Sequence, residues 1–246
     1  MIVEICVESY EEALIAEKAG CDRIELNSFL GAGGLTPYKG VVDLCVKNLS
    51  IPIVCMIRNR AAGFNYTDNE YKEILNELEY FLSLDIEGIV FGFLTENANI
   101  DRNRTKEFVN LIHKNNKLAI FSRAFDNCAD PIKGIEDLID LGVDRVLTSG
   151  QKNSAIEGSN LIKILVENYS SKIDILAGSG LTSYNIQDFA KNTGVKSVHS
   201  SCSSYLIDRT SKTNVDFSYK NTPNYNAYDF IDDSEVKKFV EAAKNI

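Results

Sequence analysis

The stretch LAIFSRAFD, residues 118–126, runs apolar for four residues and then turns ionic at Arg123 and Asp126. An unbroken apolar run of that length is too short for a core helix and lacks the polar alternation of a half-solvated strand. It reads as a strand covered on both faces, the kind found in parallel sheets. The abrupt charges at its end make Arg123 and Asp126 a working site, a structural ion pair or a solvated loop start.

Seven more runs of the same kind surround it: 2–7, 22–26, 51–57, 87–94, 143–148, 172–177 and 195–200. They are short, rich in Ile and Val, and many follow Gly or Pro, as buried parallel strands do. Helical patterns lie between them. Tyr71, Ile74, Leu75, Leu78, Phe81 and Leu82 make one apolar stripe, and Val236, Phe239, Val240 and Ala243 make another near the end of the chain. Ser9 with Glu12 has the form of a capping box, and Thr67, Asn153 and Thr182 sit where N-caps belong. Gly20 and Gly142 sit where helices should stop. Eight strand–helix units in 246 residues predict a single-domain α/β fold, a (β/α)8 TIM barrel, ahead of a doubly wound open sheet. Residues 203–231 break the rhythm and read as an irregular extension after the eighth strand, with 232–246 as the C-terminal helix.

Composition narrows the function. The net charge is -9, with 35 acidic against 26 basic residues, and no basic cluster interrupts it. That disfavours nucleic-acid and anionic-membrane partners. No apolar run approaches the roughly 20 residues that span a bilayer, and MIVEICVES lacks the features of a signal peptide. Six scattered cysteines without a CxxC pair suit reduced thiols in a cytoplasmic protein.

In such a barrel the chemistry belongs at the C-terminal ends of the strands. Those ends carry Glu4 and Cys6, Glu25 and Asn27, Arg58, Arg123 and Asp126, and His199. Glu4, Glu25, Asp126 and His199 can exchange protons, and Arg58 or Arg123 can hold an anionic substrate. The alternative is that Glu4, Glu25, Arg58 and Arg123 pair with one another and simply plug the barrel. After strands seven and eight come Gly178-Ser179-Gly180 and His199-Ser200-Ser201. Loops there often give backbone N–H groups to a phosphate or other anion, and serine adds hydroxyl donors. His113 reads instead as a surface residue at a helix end. With one useful histidine, a His-rich metal site is out of reach. A soft metal would need converging thiols, for which Cys6 is best placed, followed by Cys128 and Cys202. No GxSxG elbow and no lysine at a strand end support nucleophilic or Schiff-base chemistry.

Taken in order, EIC (4–6), DRIEL (22–26), GGLTP (33–37), MIRNR (56–60), RAFD (123–126), LTSG (147–150), GSG (178–180) and VHSS (198–201) resemble the CutC family over about residues 2–202. The resemblance implies a cytosolic (β/α)8 barrel associated with copper homeostasis, often a homo-oligomer, with Cu(I) bound through cysteines including Cys6. It also exposes departures. The family commonly has cysteine where this chain has Asn27, histidine where it has Ser122, and proline where it has Asn59. An amide is a poor Cu(I) ligand. The retained Glu4, Glu25, Arg58, Arg123 and Asp126 favour a pocket for a small polar, anionic or phosphorylated molecule, in a TIM-barrel lyase, isomerase or hydrolase. An oligomeric scaffold using 203–231 for contacts is the remaining reading.

Overall fold

The computed structural model describes residues 1–210, 215, 217, 218 and 226–246. The chain alternates β1 (Ile2–Val7), α1 (Tyr10–Lys18), β2 (Arg23–Leu26), α2 (Lys39–Asn48), β3 (Ile53–Met56), α3 (Asp68–Leu82), β4 (Gly88–Phe91) and α4 (Arg102–Lys114). It continues with β5 (Leu118–Phe121), α5 (Pro131–Leu141), β6 (Arg145–Thr148), α6 (Ser159–Tyr169), β7 (Asp174–Gly178), α7 (Ile186–Thr193) and β8 (Ser197–Ser200). All eight strands are parallel, and β8 pairs back onto β1 to close the barrel. The TIM barrel expected from the rhythm of the sequence is therefore the fold.

Period-two alternation explains how a strand so apolar can carry charge. Val3, Ile5 and Val7 of β1 face outward into the layer between sheet and helices, and so do Ile24 and Leu26 of β2. Glu4, Cys6, Arg23 and Glu25 take the alternate, inward positions, in register as Glu4↔Arg23 and Cys6↔Glu25. The barrel interior has two unlike halves. On the β3–β5 side Val54, Met56, Val90 and Ile120 pack together with Leu118. On the other side Arg23 pairs with Glu4, Arg145 Nε meets Asp174 Oδ2 at 2.6 Å, and Ser197 Oγ donates to Asp174 Oδ1 at 2.9 Å.

Ser9–Glu12 and Thr67–Glu70 form complete capping boxes on α1 and α3, and Gly142 ends α5 at φ 84°. Two expected caps are displaced. Helix α6 begins at Ser159 after Gly158, and α7 at Ile186 after Asn185. Asn153 and Thr182 are taken up in the loops instead: Asn153 O accepts from Ser179 Oγ at 2.7 Å, and Thr182 N donates to Asn185 Oδ1 at 2.9 Å.

The extension after β8 also departs from the irregular reading. β9 (Ser203–Ile207) and β10 (Ala227–Ile231) form an antiparallel pair, followed by α8 (Asp233–Lys244) under an Asp232 cap. Tyr, Leu, Ile and Phe within these two short segments favour pairing. Most of 211–225, the middle of the expected extension, lies outside the described residues. No helix among the described residues is long and apolar enough to cross a membrane.

The outer layer is anchored by aromatic rings under α4. Phe108 stacks at 4.8 Å from Phe91 and 5.0 Å from Phe93, centroid to centroid, and Phe91 meets Phe121 at 5.7 Å. Phe108 is fully buried. Phe108→Ala should cost about 3–5 kcal/mol of unfolding free energy in chemical denaturation, with native circular dichroism retained in the absence of denaturant.

Candidate acid–base pocket at the barrel mouth

Glu4 occupies the centre of the ionic half and is 1% exposed. Its Oε2 accepts from Arg23 Nε, and its Oε1 lies 2.7 Å from His199 Nδ1. Strand register makes this unavoidable, since Glu4 pairs with Arg23 on one side and His199 on the other. Glu25, one residue pair higher, places Oε2 at 3.5 Å from the same His199 nitrogen. Gly178 makes room for the ring: a Cβ there would lie 3.2 Å from His199 Cβ.

These contacts drive the three proton affinities apart. Burial would raise the Glu4 carboxyl, but the hydrogen bond to His199 and the charges of Arg23 and His199 bring it down to about 2. Burial pushes Glu25 up to about 7, with His199 opposing and Glu4 adding to the rise. Burial alone would pull the His199 imidazole down; Cys6, Glu4 and Glu25 outweigh it and hold the ring well above its ordinary range. Burial likewise raises the Cys6 thiol, with His199 opposing the rise. A fixed carboxylate, an imidazolium and a carboxyl that titrates near neutrality therefore share one wall.

Above them opens a cavity of about 610 Å³. Cys6, Glu25, Asn27, Met56, Leu147 and His199 line it below. Ser179, Gly180, Ser200 and Ser201 line it at the β7 and β8 ends, together with Ser122 and Arg123. Ser179 at φ 80° and Cys202 at φ 43° bring left-handed, non-glycine backbone to these loops, a strain that tends to collect at functional sites.

The other expected residues are placed differently. Arg58 does not line the cavity; its guanidinium donates to Ala32 O and Gly34 O at 3.0 Å and to Ala62 O at 2.7 Å, above the Phe64 ring. Arg58 therefore braces two loops rather than clamping an anion. Asp126 is likewise a loop organiser, accepting from Thr148 Oγ1 at 2.6 Å, Ser149 N at 3.0 Å and Gln151 N at 3.1 Å. Arg123 reaches the cavity but also binds Asp126 at 2.8 Å and Ser149 Oγ at 2.8 Å. The mutual plug of Glu4, Glu25, Arg58 and Arg123 is thus not formed, because Glu4 takes Arg23 as its cation. Cys128 packs against Gly134 away from the cavity, whereas Cys202 lines it. His113 sits at the end of α4, bonded to Asp144 at 2.8 Å.

Arg23 was the central residue that the sequence reading passed over, although Arg23 and Glu25 share the period-two face of Glu4 and Cys6. Glu8, Asp229 and Phe230 of the cavity wall were also missed. Asp229 and Phe230 arrive on β10, whose position no local pattern announces.

The fold and this cluster define a (β/α)8 barrel protein with a buried carboxylate–imidazole cluster at its mouth. The model of the CutC family matches residues 1–204, and the chain belongs to that family. It is 41% identical over 217 residues to the family protein CutC of Treponema denticola, covering 88% of this chain and 87% of that protein. It is 38% identical over 203 residues to the copper homeostasis protein cutC homolog of Homo sapiens, covering 82% of this chain and 74% of the human one. The crystal structure of CutC from Streptococcus agalactiae superposes with a TM-score of 0.76 at 31% identity, over 82% of this chain and 98% of that one.

A carboxyl raised from 4.5 to about 7 on folding stabilises the native state most below pH 4.5, and this contribution is lost as pH climbs through 7. Glu25→Gln removes the titration. The variant should gain about 1–3 kcal/mol over the parent at pH 8 and lose that advantage at pH 5, as read by urea denaturation at both values.

Proposed function

We propose that this chain is an enzyme that performs general acid–base chemistry on a small polar molecule bound at the barrel mouth. One observation carries the reading: two buried carboxylates share one imidazole, their proton affinities are driven apart, and Glu25 and His199 face a cavity at the barrel mouth. In this arrangement Glu4 keeps His199 charged and oriented. Glu25, near neutrality, takes or returns the substrate's proton, and His199 stabilises the negative charge that develops. Arg123 with the Ser179–Gly180 and Ser200–Ser201 loops supports an anionic group at the far wall. The acids Glu8 and Asp229 suit hydroxyl or amine donors on the rest of the molecule.

A copper-homeostasis association is the second reading, favoured by the name of the human relative and by the two thiols, Cys6 and Cys202, in the cavity wall. A cytoplasmic setting accompanies either reading, supported by six free, buried cysteines. So does a homo-oligomer, supported by half-exposed Leu206, Ile207 and Tyr228 on the β9–β10 pair.

A thermal-shift screen of phosphorylated and unphosphorylated metabolites should return a stabilising compound that the protein converts. Glu25→Gln and His199→Gln should each lower kcat by about a hundredfold or more, while Arg123→Ala acts chiefly on KM. Turnover unchanged in both Glu25→Gln and His199→Gln would sink the acid–base reading. For the copper reading, an anaerobic Cu(I) titration against a competing chelator should lose affinity on Cys6→Ala; equal affinity removes Cys6 as a ligand.

A further inference from the structure

Whether the site fits Cu(I) can be judged from the donors around Cys6. A two-coordinate or three-coordinate Cu(I) site calls for soft sulfur ligands. Position 27, next on the inward face after Glu25, holds an amide, and the Cys202 thiol is engaged with Ser200 Oγ at 3.5 Å. What converges instead is one carboxylate oxygen each from Glu4 and Glu25 and a ring nitrogen of His199, all within 4.8 Å of one another. Two carboxylates and an imidazole are the donors of a borderline or hard divalent ion. The donor set does not fit Cu(I).

We propose that Glu4, Glu25 and His199 form a binding site for a divalent cation of the zinc or manganese class. The three side chains stand on β8, β1 and β2, adjacent strands in fixed register, so the set is held by the barrel wall and not by a loop. Ligands around a cation at about 2.1 Å lie roughly 3–4 Å apart; Glu25 Oε2 and His199 Nδ1 already stand at 3.5 Å, and the 2.7 Å Glu4–His199 hydrogen bond opens as the ion displaces the ring proton. Arg23 on the second oxygen of Glu4 supplies the outer hydrogen bond that orients a ligating carboxylate.

A second, independent sign comes from an unspent polar atom. Asn27, on the inward face above Glu25 and in the cavity wall, is 1% exposed. Its Oδ1 is buried with no hydrogen-bond partner among the described residues. Burying such an oxygen unsatisfied is costly, and a water on the bound cation would engage it. Glu25 and His199 line the cavity, which provides an entry path and leaves a coordination position open to solvent or substrate.

The site shares its residues with the acid–base reading as an alternative state, since a ligating His199 is neutral and a ligating Glu25 ionised; the two can fail separately, because cation binding is read without substrate. The chelator-treated protein is titrated calorimetrically with ZnCl2 and with MnCl2, and anaerobically with Cu(I) against a competing chelator. The expected result is one equivalent of Zn2+ or Mn2+ bound. Glu25→Gln and His199→Gln should each weaken it at least tenfold, while Cys6→Ser leaves it unchanged. No saturable binding of either ion to the folded parent would overturn the proposal. So would binding indifferent to both substitutions, or tighter Cu(I) binding that Cys6→Ser abolishes. If His199→Gln does not fold, Glu25→Gln decides alone, since it leaves the Glu4–His199 contact in place.

Discussion

A carboxylate at the centre of a closed barrel sets the terms for everything around it. Glu4 is enclosed by β1, β2 and β8, where an unpaired charge would cost several kcal/mol. Its two oxygens are met by two cations from two different strands, Arg23 and His199. Because parallel register brings these three residues level, satisfying Glu4 also fixes the tilt of the imidazole and the place of Glu25 beside it. The group that anchors the barrel interior electrically is thus the group that tunes the mouth.

The loops at the mouth are braced by the same economy of charge. Arg58 spends its donors on carbonyls of the turns after β2 and β3, and Asp126 gathers the amides and hydroxyls that open the loop after β6. At Gly34, φ is 82° and a Cβ would sit 2.3 Å from Asn27 Oδ1, so only glycine lets the turn close over that amide. These residues shape the cavity without facing it. Such bracing leaves Glu25, His199 and Arg123 as the ionic groups on which the floor and the far wall depend.

How much of this was legible in the sequence depended on distance along the chain. The strands were legible because each one is a local pattern, as in LAIF before Ser122, and their number implied closure. The inward face of β1 and β2 was legible in the alternation of Glu4 with Cys6 and of Arg23 with Glu25. What each charge pairs with was not. Arg58 and Arg123 look alike as arginines beyond strand ends, yet the backbone carbonyls that claim Arg58 belong to Ala32, Gly34 and Ala62, whose residue types carry no such signal. Helix starts at Asn153 and Thr182 failed for a related reason: both residues are good caps, and here the loops of the mouth compete for them. The β9–β10 pair joins segments some twenty residues apart, beyond the reach of any local pattern.

The two unlike halves of the barrel interior have a further effect on whatever enters. Val54, Met56, Val90 and Ile120 form a wall with few dipoles able to reorient, while the arc from β6 round to β2 carries Arg23, Glu4, Asp174 and Arg145. Polarisability therefore changes steeply across the width of a single barrel. The cavity above the barrel inherits this mixture at its floor, where apolar Met56 and Leu147 stand with Glu25 and His199.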